Sequence, residues 1–255
     1  MFSIFSKVPR GSINHSLGDS IIYFLKSLTT NLKDIKKIHE FEDLFAKYIG
    51  RKYCISFPFA RTAIYFALKS KNLPKGTEVI MPPISIKGIL DVVISLGLIP
   101  KYVDLDLKNF CFDEKKLADA IDENTGAIII TYLFGTAPNL EKLIKICNQE
   151  KIYVIEDFSQ GLNALSCNKK LGSFGDCSIY SSSAIKQVDT FGGGHLLTDD
   201  DELYELIQSE QKKLSPCQRK FLVRKTLTNL IYNITTNKII FNLLVNPSLF
   251  FLNRI

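Results

Sequence analysis

From residue 53 onward the chain alternates between short apolar runs and longer stretches with helical periodicity. Tyr53 to Phe57, Glu78 to Met81, Lys101 to Asp104, Ala127 to Tyr132, Ile152 to Ile155, Cys177 to Tyr180 and His195 to Thr198 read as strands. Between them, Arg61 to Ser70, Ile86 to Leu96, a segment capped by Asp113 and running to Ile121, and Asn139 to Gln149 read as helices. Ile128, Ile129 and Ile130 in a row indicate a strand buried on both faces, because a half-exposed strand would alternate with polar residues. Repeated strand-helix alternation predicts an α/β fold, three layers deep (αβα), around a mostly parallel sheet.

The flanks differ. Residues 1–16 read as an irregular arm broken by Pro9 and Gly11, and Asp19 to Leu28 as a helix. Ile35, Ile38, Phe41, Leu44, Phe45 and Tyr48 form an apolar stripe at spacings of three and four, with Gly50 as a stop. Beyond Asp201 the pattern is helical over 201–214, 217–236 and 238–245. The expected organisation is an N-terminal arm and helix over 1–34, a large α/β domain over 35–214, and the helical start of an incomplete C-terminal domain over 215–255.

The length of 255 residues fits one large domain with a partial second. Hydrophobic residues at 46% and charged residues at 23% are globular proportions and exclude a disordered or collagen-like chain. No apolar run reaches the ~18 residues of a membrane span. The segment from Ile239 to Leu252 is interrupted by Asn242, Asn246, Pro247 and Ser248. It reads as half of a helix-packing interface in preference to a membrane element. The start lacks a basic region followed by an apolar core, so no secretory signal is expected and the location is cytoplasmic. The net charge of +6 is mild. A denser patch at Lys212, Lys213, Arg219, Lys220, Arg224 and Lys225 reads as a solvated helical face, and no nucleic-acid module is recognisable. The six cysteines form no Cys-x-x-Cys pair and do not cluster with the three histidines, so no metal site and no disulfide framework is expected.

Candidate chemistry lies where strands end, since open α/β sheets bind ligands outside the carboxyl ends of their strands. The turn Phe57-Pro58-Phe59-Ala60-Arg61-Thr62-Ala63 leads into a helix whose free N–H groups suit a phosphate. Glu156 and Asp157 close a buried strand, with Gln160 three residues beyond Asp157. A carboxylate there reads equally well as a cap on the following loop. Lys186 follows an apolar strand and the cluster Ser181-Ser182-Ser183, ahead of Gly192-Gly193-Gly194. A lone lysine is ordinarily a surface residue. The glycines lack the spacing of a dinucleotide fingerprint and read as a turn. Together, a phosphate cradle, a carboxylate and a lysine at strand ends are what pyridoxal 5'-phosphate needs. The lysine forms a Schiff base with the aldehyde, and the carboxylate keeps the pyridine nitrogen protonated.

Four segments, in order and spacing, resemble the DegT/StrS group of fold-type-I, pyridoxal-phosphate-dependent sugar aminotransferases. They are Ala60-Arg61-Thr62-Ala63-Ile64-Tyr65, Gly76 to Pro82, Val154 to Gln160, and Gly172-Ser173-Phe174-Gly175-Asp176 leading to Ser181 and Lys186. The resemblance runs from about Ile38 to Gln208 and implies the large domain of that fold. It makes Lys186 the Schiff-base lysine and proton shuttle and Asp157 the partner of the pyridine nitrogen. Gln160 falls on the phenolic-oxygen side of the ring, while Ser181, Ala60 and Arg61 hold the phosphate. The implied reaction moves an amino group, from glutamate, onto a keto group of a nucleotide-linked sugar in surface polysaccharide or related sugar biosynthesis. The implied partners are those substrates and a second copy of the chain in a homodimer, with no nucleic acid and no stable membrane insertion. Lys186 favours transamination over the dehydration carried out by relatives with histidine at that place. Three features depart from the family pattern. Ala60 stands for a glycine, which matters if the turn needs positive φ. Phe59 stands for a small serine, and Ile86 for an aromatic that stacks on the cofactor. Tyr132, Gly135 and the loop at Ile84-Ser85-Ile86-Lys87 are expected on the substrate side. Against the family pattern most of the C-terminal domain is expected to be missing, and the alternative is a truncated, non-catalytic homologue that binds pyridoxal phosphate or regulates.

Overall fold

The structure, a computed structural model, describes residues 8–252 apart from 10 and 12, with only the backbone described from 250. The remainder of the arm expected over 1–16, and residues 253–255 of the C-terminal region, lie outside the described residues. The chain divides into two compact units. One holds Lys36–Ser182 and Gly193–Leu214, and the other the described parts of Met1–Ile35, Ser183–Gly192 and Ser215–Ile255.

The second unit contributes α1 (Leu17–Thr29). The first begins with α2 (Lys36–Ile49), β1 (Tyr53–Phe57), α3 (Ala60–Ser70), β2 (Glu78–Met81), α4 (Lys87–Ser95) and β3 (Ile99–Tyr102). It continues with the small ladder of β4 (Leu105–Asp106) and β5 (Cys111–Phe112), then α5 (Glu114–Ala120), β6 (Thr125–Thr131), α6 (Leu140–Gln149) and β7 (Tyr153–Asp157). A second small ladder, β8 (Leu165–Ser166) with β9 (Lys169–Lys170), precedes β10 (Cys177–Ser181), β11 (Gly194–Thr198) and α7 (Asp201–Lys212). The second unit resumes with α8 (Arg219–Thr236), α9 (Lys238–Ile240), a π-helical turn over Phe241–Val245, and α10 (Asn246–Leu252).

Seven strands form one sheet in the order β1-β11-β10-β7-β6-β2-β3. Only β11 runs antiparallel to its neighbours. The parallel pairs account for the near-continuous apolar strands, since helices cover both faces. One core layer joins Ile55, Ile129, Ile155, Ile179 and Leu196 from five strands to Ala63, Ala67, Val93 and Ile207 of α3, α4 and α7. On the other face Phe45 of α2 packs against Tyr180 and His195, and α6 buries Leu140, Leu143 and Cys147. This is the three-layer arrangement of the fold-type-I large domain. Each fully buried Ile or Leu contributes about 1.5–3 kcal/mol relative to exposure, so the layer between sheet and α3 is a large part of what holds the unit together.

Local signals set most boundaries. Asp113 caps α5 by accepting from Lys116 N at 2.9 Å, and Ser16 caps α1 in a reciprocal pairing with Asp19. The strand expected over Lys101 to Asp104 lies instead at Ile99–Tyr102. Its position is set by pairing, Glu78 opposite Ile99 and Met81 opposite Tyr102. Pro100 is accommodated because β3 is an edge strand.

Candidate active site at the carboxyl ends of the strands

Two acids end β7, and the pleat sends them to opposite faces. Glu156 is fully buried on the face away from Ile155. Its carboxylate accepts from Gly172 N at 2.8 Å, Phe174 N at 2.6 Å, Gly175 N at 2.7 Å and the Tyr132 hydroxyl at 2.6 Å. The buried Arg51 guanidinium donates to Glu156 at 3.3 Å, to the carbonyls of Gly172 and Gly175 at 2.7 Å each, and to Asp199 at 2.9 Å. Glu156 and Arg51 therefore brace the turn of residues 172–175 against β7, which is a structural task. Burial, and then the Glu156 carboxylate, push the Tyr132 hydroxyl well above its ordinary pKa. Tyr132 is completely buried with its hydroxyl on Glu156, which corrects the expectation that it lines the substrate side.

Asp157 shares the face of Ile155, the face covered by α3. In register it stands between Thr131 of β6 and Ile179 of β10. Ser181, two residues beyond Ile179, lies on that same face at the end of β10. The Ser159 amide donates to Asp157 Oδ1 at 3.0 Å, and Ser159 Oγ accepts from the Ser181 amide at 2.9 Å. Those two bonds tie the ends of β7 and β10 together. Beyond Ser181 the row continues to Gly194, which is opposite both Ser181 and Phe57.

Gly194 decides where α3 begins. A Cβ there would lie 2.2 Å from Ala60 N and 2.3 Å from Ala60 Cα. Only a residue without a side chain lets the first turn of α3 rest on the sheet edge beside Ser181. The N-cap Phe59 has φ −150° and ψ 149° and makes no side-chain capping bond. Thr62 N and Ala63 N donate to Phe59 O. The start of α3 thus carries the positive end of the helix dipole without a capping bond from its N-cap side chain. Neither Phe59 nor Ala60 has positive φ, so alanine in place of glycine introduces no strain in this turn. The Arg61 guanidinium lies over the Phe59 ring, 4.1 Å from its centre.

The remaining expected residues are placed differently. Gln160 is exposed, and its side-chain oxygen accepts from Phe134 N at 3.0 Å. Ile86 is the N-cap of α4 and is 70% exposed. A Cβ at Gly88, in the first turn of α4, would be 3.2 Å from Arg61 Cδ, so the start of α4 adjoins the start of α3. Lys186 belongs to the other unit. There its amide donates to Ser183 O at 2.8 Å and its carbonyl accepts from Asn14 Nδ2 at 2.9 Å. The segment carrying it leaves the sheet at Ser182 and returns at Gly193, two residues joined by a bond of 3.1 Å from Ser182 N to Gly193 O.

Three residues that the sequence reading left without a role shape this edge: Gly194, Arg51 and His195. His195 is 3% exposed and links β1 to the residue after β10, with Nδ1 3.1 Å from Ser56 Oγ and Nε2 2.8 Å from Ser182 Oγ. Burial lowers its pKa to about 4, so the imidazole is neutral. The only sequence signal for these roles was the glycine run before β11. Arg51 and His195 carried none, because their partners are 105 or more residues away in one case and divided between β1 and the segment after β10 in the other.

Comparison with known proteins identifies the family and the fold. The model of the DegT/DnrJ/EryC1/StrS aminotransferase family matches residues 23–226. GDP-perosamine synthase of Caulobacter vibrioides is 34% identical over 166 residues, covering 65% of this chain and 45% of that protein. The 3-oxo-glucose-6-phosphate:glutamate aminotransferase of Bacillus subtilis is 30% identical over 205 residues, covering 78% of this chain and 46% of that protein. The chain spans about half the length of the curated relatives it matches. Among solved structures, Escherichia coli GDP-4-keto-6-deoxy-D-mannose-3-dehydratase with bound hydrated PLP superposes with a TM-score of 0.67. It is 23% identical and covers 88% of this chain and 69% of that one. At that identity the likeness establishes the fold.

Proposed function

The chain belongs to the DegT/DnrJ/EryC1/StrS aminotransferase family, and from that premise we propose that it is a pyridoxal-phosphate-dependent aminotransferase acting on a keto group of a nucleotide-linked sugar, with glutamate as amino donor. One observation carries the reading. Asp157, Ser181 and the uncapped start of α3 share one face at the carboxyl end of the sheet, with Gly194 making room for the helix.

The residues present fit the cofactor. Its phosphate calls for a hydroxyl and free backbone N–H groups, which Ser181 and the Ala60-Arg61 turn supply. Its pyridine nitrogen calls for a buried carboxylate, and Asp157 is 7% exposed. Beside Asp157 in register, Thr131 Oγ1 is buried with no hydrogen-bond partner among the described residues, as expected of a polar atom facing a ligand. When bound, pyridoxal phosphate supplies an electron sink for exchange of an amino and an oxo group. The protein's own tasks follow from that. Asp157 would accept the N–H of the ring nitrogen and keep it protonated. Ser181 and the α3 amides would hold the phosphate and so orient the ring. Lys186, assigned through its match to the family motif, would hold the cofactor aldehyde and carry a proton on Nζ. Gln160 and Ile86 are assigned to the ring's surroundings, and Ile86 offers apolar contact in place of an aromatic. The reading also carries the homodimer and the cytoplasmic location expected from the sequence, and the 1–34, 35–214 and 215–255 organisation.

The test is an absorbance spectrum of the purified chain with pyridoxal phosphate, followed by borohydride reduction and peptide mapping. The label is expected on Lys186 and absent in Lys186→Ala. A folded protein that takes no label, or takes it elsewhere, overturns the assignment. Release of 2-oxoglutarate from glutamate and a keto nucleotide sugar then reads the reaction. A label on Lys186 without turnover would favour the non-catalytic, cofactor-binding alternative.

A further inference from the structure

We propose that the helical unit containing α1 and α8 docks onto an anionic lipid bilayer, lying in the interface without crossing it. The inference is independent of the transamination proposed above. Its first support is an inverted helix pair. On α1, Ser20 and Ser27 are buried, whereas Leu17, Ile21, Ile22, Leu25 and Leu28 are 43–55% exposed. On α8, Thr226 and Asn229 are buried, whereas Phe221, Leu227, Ile231 and Tyr232 are 40–52% exposed.

The seam between the two helices is held by polar side chains. Thr226 Oγ1 donates to Ser27 Oγ at 3.0 Å, and Asn233 Nδ2 to Ser20 Oγ at 2.8 Å. His15 Nε2 lies 2.8 Å from Asn229 Oδ1, and Arg219 donates to the carbonyls of Ser27 and Thr30 at 2.9 and 2.7 Å. A helix pair in water buries its apolar stripe. Small and polar residues inside with large apolar residues outside is how helices pack in an apolar solvent.

Charge identifies the surface. This unit's sequence contains 11 Lys and Arg against 3 Asp and Glu, net +8, although the whole chain is only +6. The sheet-bearing unit is therefore net negative, and Arg219, Lys220, Arg224 and Lys225, four of the six bases that the sequence pattern makes a solvated helical face, belong to a strongly basic body. Beyond Glu210 the sequence has no Asp or Glu at all. Two copies meeting through this region would bring together two bodies of net +8, whereas anionic headgroups supply negative charge. The depth is limited by length. With 13 residues α1 is about 20 Å long against a hydrocarbon core of about 30 Å. No described helix is long and apolar enough to cross a membrane.

The test is co-sedimentation of the full chain with vesicles of phosphatidylcholine alone and of phosphatidylcholine with phosphatidylglycerol. Binding is expected only with phosphatidylglycerol, and weaker in high salt. Each neutralised base should weaken partitioning about fivefold, so the triple variant K220Q/R224Q/K238Q should bind about 100-fold less. The variant I22S/I231S, at exposed positions, should also lose binding while keeping the wild-type circular dichroism and melting temperature. Equal binding to both vesicles, or none, overturns the proposal. So does self-association, read by light scattering, that I22S/I231S abolishes in a protein that ignores vesicles, because a second copy would then cover this face.

Discussion

The amide nitrogen of Ala60 lies 2.2 Å from where a side chain at Gly194 would begin. The antiparallel strand β11 and the first turn of α3 thus touch backbone to backbone, at the point where β11 faces Ser181 of β10. Gly194 is absent from the positive-φ glycines, so the requirement is steric and not conformational. Gly194→Ala is expected to push α3 off the sheet edge and weaken pyridoxal phosphate binding by at least about tenfold, the equivalent of ~1.4 kcal/mol. Titration of the cofactor absorbance checks this, and unchanged affinity would refute the α3 cradle.

Asp157→Asn removes the charge assigned above to the ring nitrogen while keeping the size of the side chain. Borohydride reduction should still place the label on Lys186 in this variant. Turnover should fall by about 10²–10³-fold, the usual effect of deleting one preorganised electrostatic partner. Steady-state kinetics on the labelled-competent protein gives the answer. Near-wild-type turnover would remove Asp157 from its assigned role.

Arg51→Met leaves the Glu156 carboxylate buried without its cation. Both side chains are nearly inaccessible, 4% and 0% exposed, so solvent screens the pair little. The expected loss is about 3 kcal/mol of stability, at the low end for breaking a buried pair because backbone amides still serve Glu156. Urea denaturation measures it. Glu156→Gln retains hydrogen bonding to part of the same turn and should cost less.

His195 sets a pH dependence. Its folded pKa is lowered to about 4 from an ordinary 6.5, so the unfolded chain binds more protons between those values. The stability contribution is fully present above pH 6.5 and is lost as the pH falls through 4. It amounts to at most ~3 kcal/mol. Denaturation midpoints taken from pH 7 to pH 4 should decline, and the decline should be shallower in His195→Asn. Parallel declines in the two proteins would show that His195 does not drive the effect.

The sequence by itself determined the elements whose signals are local. The stripe from Ile35 to Tyr48 became α2, and the runs Tyr53–Phe57 and Glu78–Met81 became β1 and β2 with the expected ends. Asp113 capped α5. Spacings of two, three and four residues, and a side chain reaching its own backbone, act within one element and need no partner. Tertiary structure decided whatever depends on which neighbour arrives. The shift of β3 by two residues followed from pairing with β2. Strand periodicity alone does not say which of the adjacent acids at 156 and 157 faces which layer. The family resemblance singled out Asp157, and the packing of α3 on the Ile155 face put Asp157 under that helix and left Glu156 to brace the 172–175 turn. The apolar residues of α1 predicted a helix, but not that Ser20 and Ser27 would turn inward, because that choice belonged to the hydrogen bonds offered by α8.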